Sequence, residues 1–177
     1  MTKTAVIFHS GYGHAQRLAQ FVADGAQAQL IAIDADGNIS EADWATLDAA
    51  DAIVFGSPTY MGMVSWQFKK FADASSKRWF SGAWKDKVAG GFTISGSPSG
   101  DKLSTIQYFI TLAMQHGMVW VGQPAMNDGH INRIGSNSGV MAQVGPTSPA
   151  ADIPQGDLDT AKAYGERVRL LAQRMGA

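Results

Sequence analysis

Short apolar runs alternate along the chain with stretches in which apolar residues recur every three or four positions. Residues 3–9 are rich in β-branched and aromatic types, the pattern of a buried strand. Ala15, Leu18, Ala19, Val22 and Ala26 then share one face of a helix over 13–26. Residues 30–33 read as a second strand, closed by the turn sequence 34–38. Ser40 ahead of Glu41, Ala42 and Asp43 marks the start of a short helix running to about Ala50. Residues 52–55 form a third strand, ending at Gly56-Ser57-Pro58. A helix over 64–77 turns Phe68, Phe71 and either Ala72 or Ser75 inward, and 87–95 is a fourth strand. Asp101 is placed to cap a helix over 102–116, where Leu103, Ile106, Ile110 and Met114 recur at helical spacing, and 118–121 is a fifth strand. Residues 123–156 show no period and are rich in Gly, Pro, Ser and Asn, which marks a functional loop or a mobile segment. Asp157 is expected to cap a last helix with Leu158, Ala161, Tyr164, Val168, Leu171 and Met175 on one face.

Alternating strands and helices, with strands apolar on both faces, predict an α/β fold. The expected form is a flavodoxin-like doubly wound, five-stranded parallel sheet with strand order 2-1-3-4-5 and helices on both faces. Ligands of such sheets lie beyond the carboxyl ends of the strands, beside the point where the strand order reverses. No repeat or linker divides the chain, so residues 1–177 are expected to form one domain.

Composition narrows the chemistry. A net charge of -1 gives no basic excess for nucleic acid. With no cysteine, disulfides, thiol catalysis, thiolate-bound zinc and cysteine-ligated iron–sulfur clusters are excluded. No apolar run approaches the ~20 residues of a membrane span, and the first run is too short for a secretion signal. The expectation is a cytoplasmic protein without a membrane span.

Three strand ends carry loops rich in glycine and hydroxyl residues: 10–15, 57–64 and 95–100. The first joins a strand to a helix N-terminus, which offers unpaired N–H groups and a positive dipole end to an anion. Gly11 and Gly13 let the backbone wrap closely, and Ser10 and His14 can add donors. No Gly-Lys-Ser/Thr follows, so this is no Walker loop. Arg17 and Leu18 stand where a dinucleotide fingerprint needs small residues. The loop is either a mononucleotide phosphate site or a glycine-rich turn. The second loop offers Pro58, Thr59 and the flat apolar groups Tyr60 and Met61, suited to a planar ring. Its alternative role is a plain connection into the next helix. The third offers amides suited to a developing negative charge, or is a flexible linker.

Other candidates have plain roles beside chemical ones. His116 ends a helix, where the dipole favours a cation, or else it serves catalysis. His9 and His130 have no evident partner, and four scattered histidines lack metal-ligand spacing. Asp34 and Asp36 read as turn residues. Trp66, Trp79, Phe80 and Trp84 cluster between strands three and four, a pattern of interfaces. The lysines and Arg78 among them belong to a solvated face or attract a phosphorylated donor.

Several segments together resemble the WrbA-type NAD(P)H:quinone oxidoreductases of the flavodoxin-like superfamily. They are Ser10-x-Tyr12-Gly13-His14; Gly56-Ser57-Pro58-Thr59 with Gly62 and Gln67-Phe68-Lys69-Lys70-Phe71; Ser95-Gly96-Ser97 through Gly100; Trp79 ahead of Ser81-Gly82; and His116-Gly117-Met118-Val119. The likeness covers most of residues 3–122 and the final helix. It implies FMN as bound cofactor, NAD(P)H as electron donor, a quinone-like acceptor, and a homodimer or homotetramer. Carried over by position, Ser10, Tyr12, Gly13, His14 and Ala15 hold the phosphate. Pro58, Thr59, Tyr60, Met61, Gly62 and Met63, with Ser95, Gly96, Ser97 and Gly100, hold the ring. Trp79 and His116 lie near the flavin, one or both supplied across a subunit interface. The family's usual Thr-Arg-Phe-Gly-Asn-Met is here Thr59-Tyr60-Met61-Gly62-Met63-Val64, so an arginine near the ring is lost.

Overall fold

A computed structural model describes residues 2–176. The parallel strands β1 (Thr4–Phe8), β2 (Gln29–Ala32), β3 (Ala52–Tyr60) and β5 (Val88–Ser95) form the centre of the sheet. Their order is β2-β1-β3-β5, followed by the short β6 (Val119–Trp120), with β7 (Val140–Gln143) on the same side of β5. Helices α1 (His14–Ala26) and α6 (Gln155–Met175) cover one face. Helices α2 (Glu41–Ala49), α3 (Trp66–Ala74) and α5 (Lys102–Gln115) cover the other, with α4 (Ser76–Ser81) alongside. The doubly wound α/β architecture is the one the apolar pattern predicts.

Each face has its own core. Leu18, Val22, Leu158, Tyr164 and Val168 pack on one side of the sheet; Trp44, Leu47, Phe68, Phe71, Trp84 and Phe109 pack on the other. α1 and α6 cross almost backbone to backbone. A Cβ at Gly25 would lie 1.9 Å from the Lys162 carbonyl, and one at Gly165 would lie 2.0 Å from that of Val22. Any side chain at either position would push the helices apart. Ser40 caps α2 as expected, forming a reciprocal capping box with Asp43.

Five local expectations need correction. The fifth strand is made in two pieces: β6 pairs with Val88 and Ala89, and β7 pairs with Phe92 to Ser95. The chain leaves the sheet between them and returns in register. Paired bonds between Gln123 and Asn137 close the base of this excursion, and the Trp120 indole N–H donates to the Ser138 carbonyl (2.8 Å). The stretch 123–156 therefore contains a strand, which four residues among glycines and serines are too few to reveal.

The second loop is a hairpin. β3 runs on to Tyr60 and pairs antiparallel with β4 (Met63–Val64) around Met61 and Gly62, both with positive φ (48° and 79°). The helix expected over 64–77 divides at Ser75 into α3 and α4.

The helix after the third loop buries a different stripe. Lys102, Thr105, Ile106, Phe109, Leu112 and Ala113 face inward, whereas Leu103 and Met114 are half exposed. Two polar residues begin the buried stripe, so apolar spacing alone misses it. Neither aspartate acts as expected: Asp101 makes no side-chain cap bond, and Asp157 lies inside the first turn of α6, buried.

Candidate functional site

The carboxyl ends of β1, β3 and β5 converge on one cleft of about 200 Å³. Ser10, Tyr12, His14, Ala15, Pro58, Thr59, Tyr60, Ser95 and Gly96 line it. Gly11, Ile94, Val144 and Pro146 complete the lining. The last two come from the segment after β7. The turn sequence Gly145-Pro146-Thr147-Ser148 is the signal that could have marked that segment. Gly13, Met61, Gly62, Met63, Ser97 and Gly100, also expected at the site, do not line the cleft. Gly13 caps α1, Met61 and Gly62 form the hairpin tip, and Ser97 and Gly100 belong to the turn behind Gly96.

The loop 10–15 is built to receive an anion. Gly13 takes the N-cap position with φ 84°, a left-handed conformation that glycine adopts without a steric penalty. The N–H groups of Tyr12, Gly13, His14 and Ala15 make no hydrogen bond within the described residues. The Ser10 hydroxyl is buried and has no partner. A buried donor without an acceptor costs about 1–3 kcal/mol. That cost is recovered when a phosphate oxygen accepts from it, so these residues fit the phosphate of a mononucleotide. The His14 ring is already engaged, with Nε2 2.7 Å from the Ser148 carbonyl oxygen. It ties the mouth of the loop to the segment after β7.

Two aromatic residues frame the opening. Tyr12, 76% exposed, meets Tyr60 edge to face at 6.2 Å. Burial pushes the Tyr60 phenol above its ordinary range. Beneath Pro58 and Tyr60 the structure is rigid: the Thr59 hydroxyl lies 2.8 Å from those of both Thr93 and Thr105. The Ser57 hydroxyl accepts from the Ser65 N–H and donates to the Pro58 carbonyl. The hairpin is thus held from below, while Met61 projects fully into solvent.

The third loop is clamped from two sides. Lys102, fully buried, donates to the Ser95 hydroxyl (2.8 Å) and to the carbonyls of Ser97 (2.7 Å) and Pro98 (2.9 Å). Desolvation pulls its ammonium down to about 8, with Asp157 opposing that change and Arg133 adding to it. From β7, the Gln143 side chain donates to the Gly96 carbonyl (3.1 Å). Gln143 is itself fixed: its N–H donates to Asp157, and its carbonyl accepts from Arg133. Asp157 and Arg133 form an ion pair at 2.7 Å, with the carboxylate buried. Sequence reasoning missed the part these residues play: Arg133, Gln143 and Asp157 are distant from the loop in the chain, Lys102 reads as the exposed start of a helix, and none matches a motif.

The other candidates lie elsewhere. His116 and Trp79 share a second cleft, between α3–α4 and α5, and neither lines the strand-end cleft within the chain. The Ser75 hydroxyl donates to the Ala72 carbonyl, so it accepts from His116 Nε2 at 2.9 Å. The imidazole packs 4.4 Å from Trp84, and burial lowers its pKa. Of the four aromatics expected at an interface, Trp66, Trp79 and Phe80 are exposed. Trp84 is buried and stacks on Trp44. Asp34 is a turn residue, accepting from the N–H groups of Asp36 and Asn38. His130 pairs with Asp159 on the surface. Among the described residues no cluster of three metal-binding side chains occurs, and no helix is long and apolar enough to cross a membrane.

The geometry has counterparts in known proteins. The family described as NADPH-dependent FMN reductase matches residues 9–132. A protein of Pseudomonas aeruginosa named flavodoxin FldP is 48% identical over 184 residues, covering all of both chains. A protein named NAD(P)H dehydrogenase (quinone) from Syntrophobacter fumaroxidans is 31% identical over 201 residues, 98% of each chain. Among solved structures, a flavodoxin, WrbA-like protein from Agrobacterium tumefaciens superposes with a TM-score of 0.84. It is 53% identical and covers 98% of this chain and 99% of its own.

Proposed function

Because the chain belongs to the NADPH-dependent FMN reductase family as a WrbA-type flavodoxin-like protein, we propose that it binds FMN at the strand-end cleft and uses NAD(P)H to reduce quinone-like acceptors by two electrons. The observation that carries this reading is the buried, partnerless Ser10 hydroxyl beside four free N–H groups at the start of α1. Bound FMN supplies the chemistry, taking a hydride from the donor and passing two electrons to the acceptor. The chain supplies position and environment. Ser10 and the amides of 12–15 hold the phosphate, with the helix dipole favouring its charge. Pro58, Thr59 and Tyr60 on one side and Ser95 and Gly96 on the other hold the ring. Pro146 and the Tyr12–Tyr60 pair exclude water from it. The Gly96 N–H, unpartnered in the cleft lining and already in place, would meet negative charge developing on a ring held there without having to reorganise.

The visible spectrum of the purified protein is the first test, before and after incubation with FMN. The expected outcome is a flavin spectrum with stoichiometric loading, and turnover of a quinone with NADH or NADPH. A protein that FMN cannot load overturns the reading.

A second reading, a one-electron carrier, is favoured by the relative named flavodoxin FldP. Redox titration separates the two: a single two-electron wave supports the reductase, and two resolved one-electron waves support the carrier. Association of the chain into a dimer or tetramer through the face bearing Trp66, Trp79 and Phe80 would bring His116 and Trp79 toward a neighbour's cleft. Light scattering of wild type and Phe80→Asp tests this; a monomer in both overturns it.

A further inference from the structure

The third loop is rich in glycine and serine, yet its carbonyls do not face solvent. Those of Ser97 and Pro98 point at the Lys102 ammonium, and that of Gly96 accepts from Gln143. The Ser95 hydroxyl also accepts from Lys102 and donates to the Ser97 carbonyl (3.0 Å). The ammonium has three protons and three acceptors, so it is fully satisfied. With the Gly96 carbonyl held by Gln143 and those of Ser97 and Pro98 by Lys102, the N–H of Gly96, which lines the cleft, is left without an acceptor among the described residues. A buried lysine is costly to keep charged, and few positions retain one without a role.

We propose that Lys102 is the positioning residue of the cofactor cleft: it fixes the 95–100 loop behind the Ser95 and Gly96 lining, and its ammonium, one hydroxyl behind that lining, favours negative charge on the ligand held there. This rests on the reading that FMN occupies the strand-end cleft. A hydride from NAD(P)H brings two electrons and one proton to the ring and releases NAD(P)+. The reduced ring would carry more negative charge than the oxidised one. A fixed cation one hydroxyl behind the cleft lining would stabilise the reduced state more than the oxidised state, and so raise the reduction potential. Two charged groups act on Lys102 from neighbouring elements: Asp157 on α6, which favours its charge, and Arg133 from the excursion between β6 and β7, which opposes it.

The experiment compares FMN-loaded wild type with Lys102→Met. Affinity for oxidised FMN is read by fluorescence, and the two-electron midpoint by titration. Affinity for reduced flavin is expected to fall about tenfold more than for oxidised flavin, since a bond to a charged group carries about 1.5–3 kcal/mol. A tenfold difference corresponds to a midpoint about 30 mV lower in a two-electron couple. Affinity lost equally in both states, with the midpoint unchanged, overturns the proposal.

If the variant does not fold, the wild-type midpoint is followed against pH. Reduction raises the affinity of Lys102 for its proton. Extra proton uptake therefore begins as pH rises through the lowered Lys102 value, and the slope steepens above pH of about 8. A slope without that change overturns the proposal. Should FMN fail to load at all, the flavin reading itself fails, and Lys102 is then tested in the free protein. Amide exchange at residue 102, whose N–H donates to the Ser99 carbonyl, and at Val144, whose N–H donates to that of Ser95, at least tenfold faster in Lys102→Met supports the positioning role; unchanged exchange overturns it.

Discussion

The loops 10–15 and 95–100 look alike in sequence, both short, rich in serine and glycine, and placed between a strand and a helix. In the folded protein they are held in opposite ways. The first leaves its donors free: a helix start, a left-handed Gly13 and a buried hydroxyl with no partner. It is held at its mouth, where His14 meets Ser148. The third loop is saturated on its carbonyl side by a buried ammonium and by Gln143, which an ion pair fixes in turn. One loop stores an unmet hydrogen bond for a ligand; the other is set rigidly before any ligand arrives. Similar composition thus says little about whether a loop waits for a ligand or is shaped without one.

The largest expected effect breaks the rigid loop. Asp157→Ala removes the carboxylate that pairs with Arg133 and accepts from the Gln143 N–H. Removing one partner of a buried pair costs about 3 kcal/mol or more. Urea unfolding should register that loss, and FMN should still bind through its phosphate, though more weakly. A stability change below 1 kcal/mol, on the order of a surface substitution, would show that the clamp is not needed.

A smaller effect tests the waiting loop, with opposite signs for two readouts. Ser10→Ala deletes a buried hydroxyl that has no partner in the free protein, so the flavin-free protein should keep or slightly gain thermal stability. FMN affinity should fall about tenfold, because the lost bond would go to a charged acceptor. Equal affinity in variant and wild type would mean that the hydroxyl does not meet the phosphate.

The smallest effect comes from acid, beneath the first loop. His9 is buried at the end of β1, its Nδ1 lacks a partner, and burial lowers its pKa below the model-peptide value of 6.5. The unfolded chain takes up the proton first as pH falls, so protonation favours unfolding. Stability should be fully present above about pH 6.5 and decline as pH drops toward the lower folded value. His9→Gln should flatten that decline in thermal melts; an unchanged pH profile would assign the acid sensitivity to other groups, of which His116 is the next buried imidazole.

Much of the fold was legible because it follows from local patterns. Apolar runs marked β1, β3 and β5, helical spacing marked the buried face of α1, and Ser40 with Asp43 marked the start of α2. The loop 10–15 with its free amides was also legible, since a glycine-rich turn entering a helix is contiguous in the chain. Other features were hidden because their cause is distant. Gln143 and Asp157 reach the third loop only through the return of β7 to the sheet, and Lys102 looks from sequence like a surface residue at a helix start. His116 illustrates the converse: its motif suggests a place by the flavin, whereas within the chain it packs on Trp84 and Ser75.

The sequence by itself therefore determined the layer order, the strand ends where a ligand gathers, and the free amides of the 10–15 loop, since each depends on neighbours within a few residues. Only the tertiary structure decided how the fifth strand is completed after an excursion, and which charged groups lie buried behind the cleft. Burial turns Lys102 and Asp157, the latter paired with the half-buried Arg133, from solvated surface charges into determinants of loop shape. Whether a charge is buried depends on residues far along the chain, which no local pattern reports.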